Sequence, residues 1–229
     1  LEVTCQNGGD EFRPDIAIFI NGLPLSYIEV KQPNAIRDGK TAIQSEQSRT
    51  AVRFENRRFR RFNNITQLIS FSDNLPYISG QGQQKQGSFY CSNAFSKTKF
   101  NAFKEEREEE LIYSIRSLGE EEIDAVLKDV NRFALKSQPE FKTNQDPSTP
   151  CNTFISSLYQ KERLLFLLRY GLAYVEEHSK DGTIQLQKHV MRYPQFFATK
   201  AIEDAIGKGV KKGVIWHTQG SGKTALSYF

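Results

Sequence analysis

Residues 13–32, RPDIAIFINGLPLSYIEVKQ, decide the fold of the first part of the chain. Two runs rich in β-branched and aromatic residues flank Asn21-Gly22, which is the strongest short-range signal for a β-hairpin. Charged residues are uncommon in strands that bury one face, yet Asp15, Glu29 and Lys31 lie in or beside these runs. These three charges therefore indicate a functional site.

The register of the hairpin decides whether the charges meet. A three-residue turn over residues 21–23 would place Asp15 directly opposite Glu29 on one face, with Lys31 beside them. A two-residue turn would shift the register and separate the carboxylates. Like charges held close together repel unless a cation binds, and Mg²⁺ or Mn²⁺ prefers carboxylate oxygens. We therefore predict Asp15 and Glu29 as metal ligands, and Lys31 as the catalytic amine that stabilises charge on a scissile phosphate.

A basic helix is predicted after the hairpin, over about residues 41–62. Residues 41–64 hold six arginines against two glutamates, a charge pattern that suits either a DNA backbone or a solvated surface. The arginines expected to lie along one DNA-binding stripe are Arg49, Arg53, Arg57 and Arg60. Gln44 on the same helix is a candidate catalytic residue that would hold the phosphate or a metal-bound water.

Beyond this helix, short strands are expected within residues 65–73 and 87–93, and a polar, acidic helical stretch over 104–135. Three prolines between residues 139 and 150 favour a linker. An amphipathic helix over 154–177 and a second helix over 194–209 should follow. This pattern predicts an α/β chain with a first domain over residues 1–140, a linker over 141–155 and a second domain over 156–229.

The sequence GVIWHTQGSGKTAL, residues 213–226, has the order of a phosphate-binding loop: an apolar strand over 212–217, a glycine-rich turn and the start of a helix. Backbone amides and the helix dipole there would bind the phosphates of a nucleotide, and Thr224 would ligate Mg²⁺. His217 stands where the strict motif has its first glycine. Upstream, Gln195 could read the two-sided hydrogen-bonding edge of adenine. The predicted loop residues are Thr218, Gln219, Gly220, Ser221, Gly222, Lys223 and Thr224.

Bulk features exclude several classes of protein. No apolar run is long enough to cross a bilayer, and three distant cysteines without a C-x-x-C pair indicate reduced thiols in a cytoplasmic protein rather than a disulfide framework. The chain lacks an initiator methionine and stops just inside a helix. We therefore expect a fragment of a longer polypeptide.

The motifs together resemble a known family. RPD…IEVK is similar to the core of PD-(D/E)xK nucleases, whose mixed sheet is flanked by helices. KHVMRYPQFFATKAI and GVIWHTQGSGKT resemble the adenine and phosphate motifs of the restriction (motor) subunit of type I restriction endonucleases, which carry the nuclease first and a RecA-like superfamily 2 motor after it. The family often pairs a glutamine with a tyrosine four residues later, whereas Gln44 is followed by Ser48.

The resemblance implies an ATP- and Mg²⁺-dependent enzyme that translocates and cleaves double-stranded DNA. Its expected partners are the modification (methyltransferase) and specificity subunits of a bacterial or archaeal complex. Motor motifs such as Walker B do not occur before residue 229, so this fragment alone is not expected to hydrolyse ATP. The alternatives are a repair-type helicase-nuclease and a non-catalytic, nucleotide-dependent DNA-binding scaffold.

Overall fold

The computed structural model describes residues 3–37, 39–80, 83–93, 98–112, 118–178, 181–217 and 222–226. The strands are β1 (Cys5–Asn7), β2 (Asp10–Phe12), β3 (Ile16–Ile20), β4 (Leu23–Val30), β5 (Ile36–Arg37), β6 (Lys40–Thr41), β7 (Leu68–Ser72), β8 (Ile78–Gly80), β9 (Gln83–Gln86), β10 (Phe89–Cys91), β11 (Asn101–Ala102), β12 (Leu172–His178) and β13 (Ile184–Val190). The helices are α1 (Ala42–Glu55), α2 (Arg60–Ile65), α3 (Glu108–Ile112), α4 (Glu120–Asp129), α5 (Pro139–Asn144), α6 (Pro150–Leu158), α7 (Lys161–Tyr170), α8 (Tyr193–Gly207) and α9 (Lys223–Leu226).

A five-stranded mixed sheet organises the first half of the chain, in the order β11–β10–β7–β4–β3. Only β4 and β7 run parallel, and the connection between them contains α1 and α2. Their pairing places Tyr27 beside Ile69 and Glu29 beside Phe71. The mixed sheet with helices confirms the α/β class predicted from the sequence, and the strands expected within residues 65–73 and 87–93 are β7 and β10.

The turn of the β3–β4 hairpin differs from the prediction, although the register near the charged residues does not. Ile20 pairs with Leu23, so the turn has two residues, Asn21 and Gly22, both with positive φ as a type I′ turn requires. A β-bulge then leaves Leu25 unpaired and shifts the register by one residue. The bulge cancels the effect of the shorter turn, because beyond it Ile16 pairs with Ile28 and the next opposed positions are 15 and 29.

The two faces of the sheet pack against different helices. On one face, Tyr27, Ile69 and Phe71 contact aromatic and aliphatic side chains from β2, α1 and the 3₁₀ turn Arg57–Phe59. On the other face, Leu68 and Tyr90 pack with residues of α6, α7 and α8. The helices that follow residue 150 therefore share a hydrophobic core with the sheet.

Several predicted elements are corrected. Asn56 interrupts the helix predicted over residues 41–62, because its side chain caps the next 3₁₀ turn. The proline-rich stretch is partly helical: Pro139 and Pro150 each begin a helix, where the missing N–H costs nothing. The division into two domains joined by a linker there stays a prediction. The helix predicted over 154–177 breaks after Leu158 and ends at Tyr170. Its last part is β12, which pairs with β13 in an antiparallel ribbon.

None of the described helices is both long and apolar enough to span a bilayer.

Tyr159 tests how strongly the second face is joined to the helices. Its hydroxyl lies 2.8 Å from Ser26 Oγ and 2.6 Å from Ser70 Oγ, so it links the C-terminal end of α6 to β4 and β7. Tyr159→Phe should lower the free energy of unfolding by about 1–2 kcal/mol, since buried hydroxyls lose their partner. Urea denaturation would measure this, with Tyr170→Phe as the control because Tyr170 is half exposed. Equal stability of both variants would contradict the link.

Candidate functional site

The open end of the β3–β4 hairpin carries the first candidate site. Asp15 directly precedes β3, and its Oδ2 accepts a hydrogen bond of 2.8 Å from the backbone N–H of Val30. The Nζ of Lys31 lies 3.3 Å from Glu29 Oε2 and 3.7 Å from Asp15 Oδ2. The structure thus brings together the three charged side chains that the hairpin predicted, with the amine between the two carboxylates.

Burial increases steeply across this cluster. The Asp15 side chain is 44% exposed and that of Lys31 is 32% exposed, whereas that of Glu29 is only 3% exposed. Solvent and a large substrate therefore reach the site from the Asp15 side. Glu29 forms its closed inner wall, where charge–charge interactions are less screened by water.

Two residues of α1 extend the charge cluster inward. Arg53 Nη1 lies 3.1 Å from Glu29 Oε1 and 3.0 Å from Glu46 Oε1, and all three side chains are buried. Burial raises the pKa of the Glu46 carboxyl, Arg53 opposes that rise, and the Glu29 carboxylate adds to it. The inner part of the site is therefore a carboxylate–guanidinium–carboxylate arrangement.

The predicted arginine stripe is divided by this arrangement. Arg53 departs from the stripe expected to face DNA, because its side chain is buried and pairs with Glu29 and Glu46. Arg49 is exposed and lies 2.9 Å from Glu46 Oε2. Arg57 and Arg60 are exposed and line a surface cavity next to Asn63 and Asn64. The DNA-binding role of the three exposed arginines stays a prediction.

The sequence reasoning chose Gln44 on α1 and missed Glu46. Gln44 is exposed, and its Oε1 accepts a hydrogen bond from the backbone N–H of Thr41 in a capping box, so its side chain serves the start of the helix. A signal for Glu46 existed, because it falls at helical spacing between Ile43 and Thr50, both of which are buried. A carboxylate on the apolar stripe of a helix requires a buried counter-ion.

A second candidate site lies at the start of α8. Gln195 is buried; its Oε1 accepts a 2.8 Å hydrogen bond from Arg192 N–H, and its Nε2 donates a 3.0 Å hydrogen bond to the carbonyl of Gly222. Gly222 has a φ of +85°, and a Cβ there would lie 2.5 Å from Gln195 Nε2. The predicted adenine and phosphate motifs are therefore in direct contact, and glycine suits position 222 because other residues are strained at this positive φ.

The rest of the predicted phosphate-binding motif follows the prediction only in part: the helix after the loop forms, whereas the strand before it does not. Lys223 and Thr224 begin α9, and Lys223 Nζ donates a 3.2 Å hydrogen bond to the carbonyl of His217. The strand predicted over 212–217 is absent, and Val214 and Trp216 are 89% and 91% exposed. A strand of a parallel sheet requires neighbours, and none of the described strands pairs with this segment. Thr218, Gln219, Gly220 and Ser221 lie outside the described residues.

A cavity of about 800 Å³ opens beside Gln195 and Gly222 and is also lined by Thr224 and Lys188. Lys188 on β13 is buried, and its Nζ donates hydrogen bonds to Gln67 Oε1 and to Asn93 Oδ1. Because these partners are neutral amides, burial lowers the pKa of Lys188 to about 8. The cavity thus has a cationic wall held by residues that flank β7 and β10.

The comparisons with known proteins match the two segments of the chain that contain the candidate sites. Residues 1–109 match the family described as type I restriction enzyme R protein N terminus (HSDR_N). Residues 194–229, which contain Gln195 and Gly222, match the SWI2/SNF2 ATPase family. The resemblance to restriction subunits inferred from the sequence is confirmed, and the two segments follow in the predicted order.

Three proteins of Methanocaldococcus jannaschii are similar to the chain, each named a putative type I restriction enzyme endonuclease subunit. The one called MjaVIIP is 44% identical over 72 residues, which cover 29% of this chain and 6% of the relative. MjaIXP and MjaVIIIP are 22% and 24% identical over 95% of this chain, which corresponds to 18% and 16% of those relatives. The chain thus spans less than a fifth of their length. No solved structure matches it.

The buried amine of Lys188 gives a prediction for the pH dependence of stability. Its pKa falls from the model-compound value of 10.5 to about 8 on folding, so between these pH values the unfolded chain binds more protons than the folded one. The free energy of unfolding should therefore rise with pH across this window, by at most about 1.4 kcal/mol per pH unit from this group.

Lys188→Met should flatten that rise, and Lys208→Met, at the exposed residue that follows α8, serves as the control. Urea denaturation of the three proteins at pH 7.5, 8.5 and 9.5 would measure the slopes. If the slope of Lys188→Met equals that of the wild-type protein, the amine does not become neutral on folding.

Proposed function

We propose that this chain holds the nuclease site and the first part of the motor of an ATP-dependent type I restriction endonuclease subunit, a type I site-specific deoxyribonuclease acting in the cytoplasm. The observation that carries the proposal is the Lys31 amine held between Asp15 and Glu29, inside a segment that matches the R protein N terminus. In the proposed enzyme this site cleaves phosphodiester bonds of double-stranded DNA.

The residues of the first site fit a divalent cation such as Mg²⁺. Carboxylate oxygens are the ligands that this ion prefers, and Mg²⁺ is usually held by only one or two carboxylates together with waters and substrate phosphates. Glu29 Oε2 and Asp15 Oδ2 lie 3.3 Å and 3.7 Å from the Lys31 amine, so one oxygen of each carboxylate faces the same point. Among the residues that the structure describes, no group of three or more histidine, cysteine, aspartate or glutamate side chains could hold a metal ion. This agrees with a site at which water and DNA phosphates supply the remaining ligands.

Asp15 and Glu29 would hold the cation, which when bound lowers the pKa of a water and polarises the phosphate. Lys31 would place its positive charge where negative charge develops on the phosphate oxygens. The exposed Arg49, Arg57 and Arg60 would contact the DNA backbone, whose recognition requires no base reading. Sequence recognition would belong to the specificity subunit of the complex, and protection of the host DNA to its modification subunit.

The second site would bind ATP and Mg²⁺ as part of a superfamily 2 motor. Gly222 and the backbone N–H groups at the start of α9 would bind phosphate. Lys223 would pair with the phosphate charge, and Thr224 would ligate the metal. Beyond its two hydrogen bonds to described residues, the Gln195 amide has one further N–H and one further lone pair, and these suit the edge of adenine. The close approach of Gln195 to Gly222 supports this assignment, because both groups then bind one ligand.

Asp15→Ala tests the nuclease site in the full-length subunit assembled with its partners. The variant should lose Mg²⁺-dependent cleavage of plasmid DNA by at least about a hundredfold, since the site loses an anionic ligand, while ATP hydrolysis persists. The matched control is Asp10→Ala on β2. The Asp10 carboxylate lies outside the candidate site and pairs with Arg58 of the 3₁₀ turn Arg57–Phe59. ATP hydrolysis and DNA binding without any cleavage by the wild-type complex would instead support the scaffold alternative.

Lys223→Ala tests the motor site separately. Loss of the phosphate-binding amine should abolish ATP-dependent translocation and reduce ATP turnover by at least about a hundredfold. A triplex-displacement assay and a phosphate-release assay would report the two activities, with the exposed Lys211→Ala variant as the control. Unchanged ATP turnover in Lys223→Ala would contradict the phosphate-loop assignment and leave the nuclease proposal intact.

A further inference from the structure

Arg53 occupies an unusual place for a residue of a basic helix. Its guanidinium lies between the carboxylates of Glu29 and Glu46, at 3.1 Å and 3.0 Å, and its side chain is only 8% exposed. It also lies 5.0 Å from the centre of the Phe12 ring. The surrounding side chains therefore hold the guanidinium of Arg53 on the inner side of Glu29, opposite the solvent-exposed Asp15.

The contact between Arg53 and Glu29 is electrostatic rather than a well-aligned hydrogen bond. Glu29 Oε1 accepts no hydrogen bond among the described residues although Arg53 Nη1 lies 3.1 Å away. By contrast, the same Nη1 donates a hydrogen bond of 3.0 Å to Glu46 Oε1. Arg53 is thus anchored on Glu46, and the other oxygen of Glu29, Oε2, faces Lys31 on the side where a cation would bind.

The charges of the cluster compensate one another. Glu29 and Glu46 are both buried, and each would be unstable in the interior without a nearby cation. A divalent cation bound at Glu29 would be repelled by the guanidinium that already neutralises this carboxylate. Glu46 counteracts the repulsion, because it neutralises part of the charge of Arg53.

We propose that Arg53 is a positioning residue that weakens divalent-cation binding at the Asp15–Glu29–Lys31 site, and that Glu46 opposes this effect. The inference rests on the proposed nuclease function, since it concerns the cation of that site. In the absence of DNA the guanidinium keeps Glu29 neutralised and the cation weakly bound. Phosphate oxygens of the DNA backbone then supply the additional anionic ligands that raise occupancy.

The experiment is a Mn²⁺ titration of the full-length subunit without nucleotide, in which electron paramagnetic resonance measures the free ion. Asp15→Asn identifies the binding that belongs to the nuclease site. Arg53→Met, which keeps an apolar side chain beside Phe12, should bind Mn²⁺ about tenfold more tightly or better, because a charge about 3 Å from the ligand is removed. Arg53→Lys, which retains the charge, should stay within about threefold of the wild-type protein.

Two further variants distinguish an electrostatic effect of Arg53 on Mn²⁺ binding from a loss of folded structure. Arg49→Met removes the exposed cation that contacts Glu46 but not Glu29, and it should shift the affinity by less than about threefold because solvent screens it. Glu46→Gln should weaken Mn²⁺ binding by about threefold or more, since Arg53 then acts on Glu29 alone. Circular dichroism of each variant checks folding, and Glu46→Gln tests the proposal if Arg53→Met does not fold.

The outcomes distinguish this inference from the proposed function. Mn²⁺ affinities of Arg53→Met and Glu46→Gln within about twofold of the wild-type protein would overturn the role of Arg53, even if Asp15→Asn abolishes binding. Wild-type protein that binds no more Mn²⁺ than Asp15→Asn would overturn the metal site itself, and with it the nuclease proposal.

Discussion

A single buried carboxylate, that of Glu29 on β4, constrains the arrangement of the elements around it. Removing such a group from water costs several kcal/mol unless cations and hydrogen-bond donors compensate. Lys31 and Arg53 provide the compensation from two sides, which requires α1 to pack across the sheet with its middle turns facing inward. Loss of one partner of such a buried pair typically costs about 3–5 kcal/mol. The need to compensate this buried charge therefore fixes the side of the hairpin on which Asp15, Glu29 and Lys31 lie, and it fixes the position of α1.

The two segments with separate family matches are joined by packing as well as by the chain. Phe154, inside the stretch predicted as a linker, belongs to the same core as Leu68 and Tyr90 of the sheet. The Tyr90 hydroxyl donates a 2.6 Å hydrogen bond to the carbonyl of Met191, just before α8. The start of the predicted nucleotide site is thus attached directly to the five-stranded sheet. A displacement of α8 would therefore be transmitted to β10 through the hydrogen bond between Tyr90 and Met191.

The sequence predicted the central features because their signals are local. Asn-Gly between two apolar runs specifies the hairpin, and Gly222 with Lys223 marks a helix start that can bind anions. The β12–β13 ribbon was missed because its sequence continues the apolar pattern of α7, and helical and strand periods are hard to separate in short runs. The inward turn of Arg53 was missed because an arginine stripe has the same spacing whether it faces solvent or buried acids. Only the tertiary positions of Glu29 and Glu46 decide between them.

The unpaired residue at position 25 has a consequence for how this hairpin can change in evolution or by design. Side chains alternate between the two sides of a strand, so each residue gained or lost near the turn reverses every position that follows. The compact two-residue loop and the bulge are two such reversals that cancel. An uncompensated insertion or deletion here would direct the Glu29 side chain to the opposite side of the sheet, away from Arg53 and Glu46.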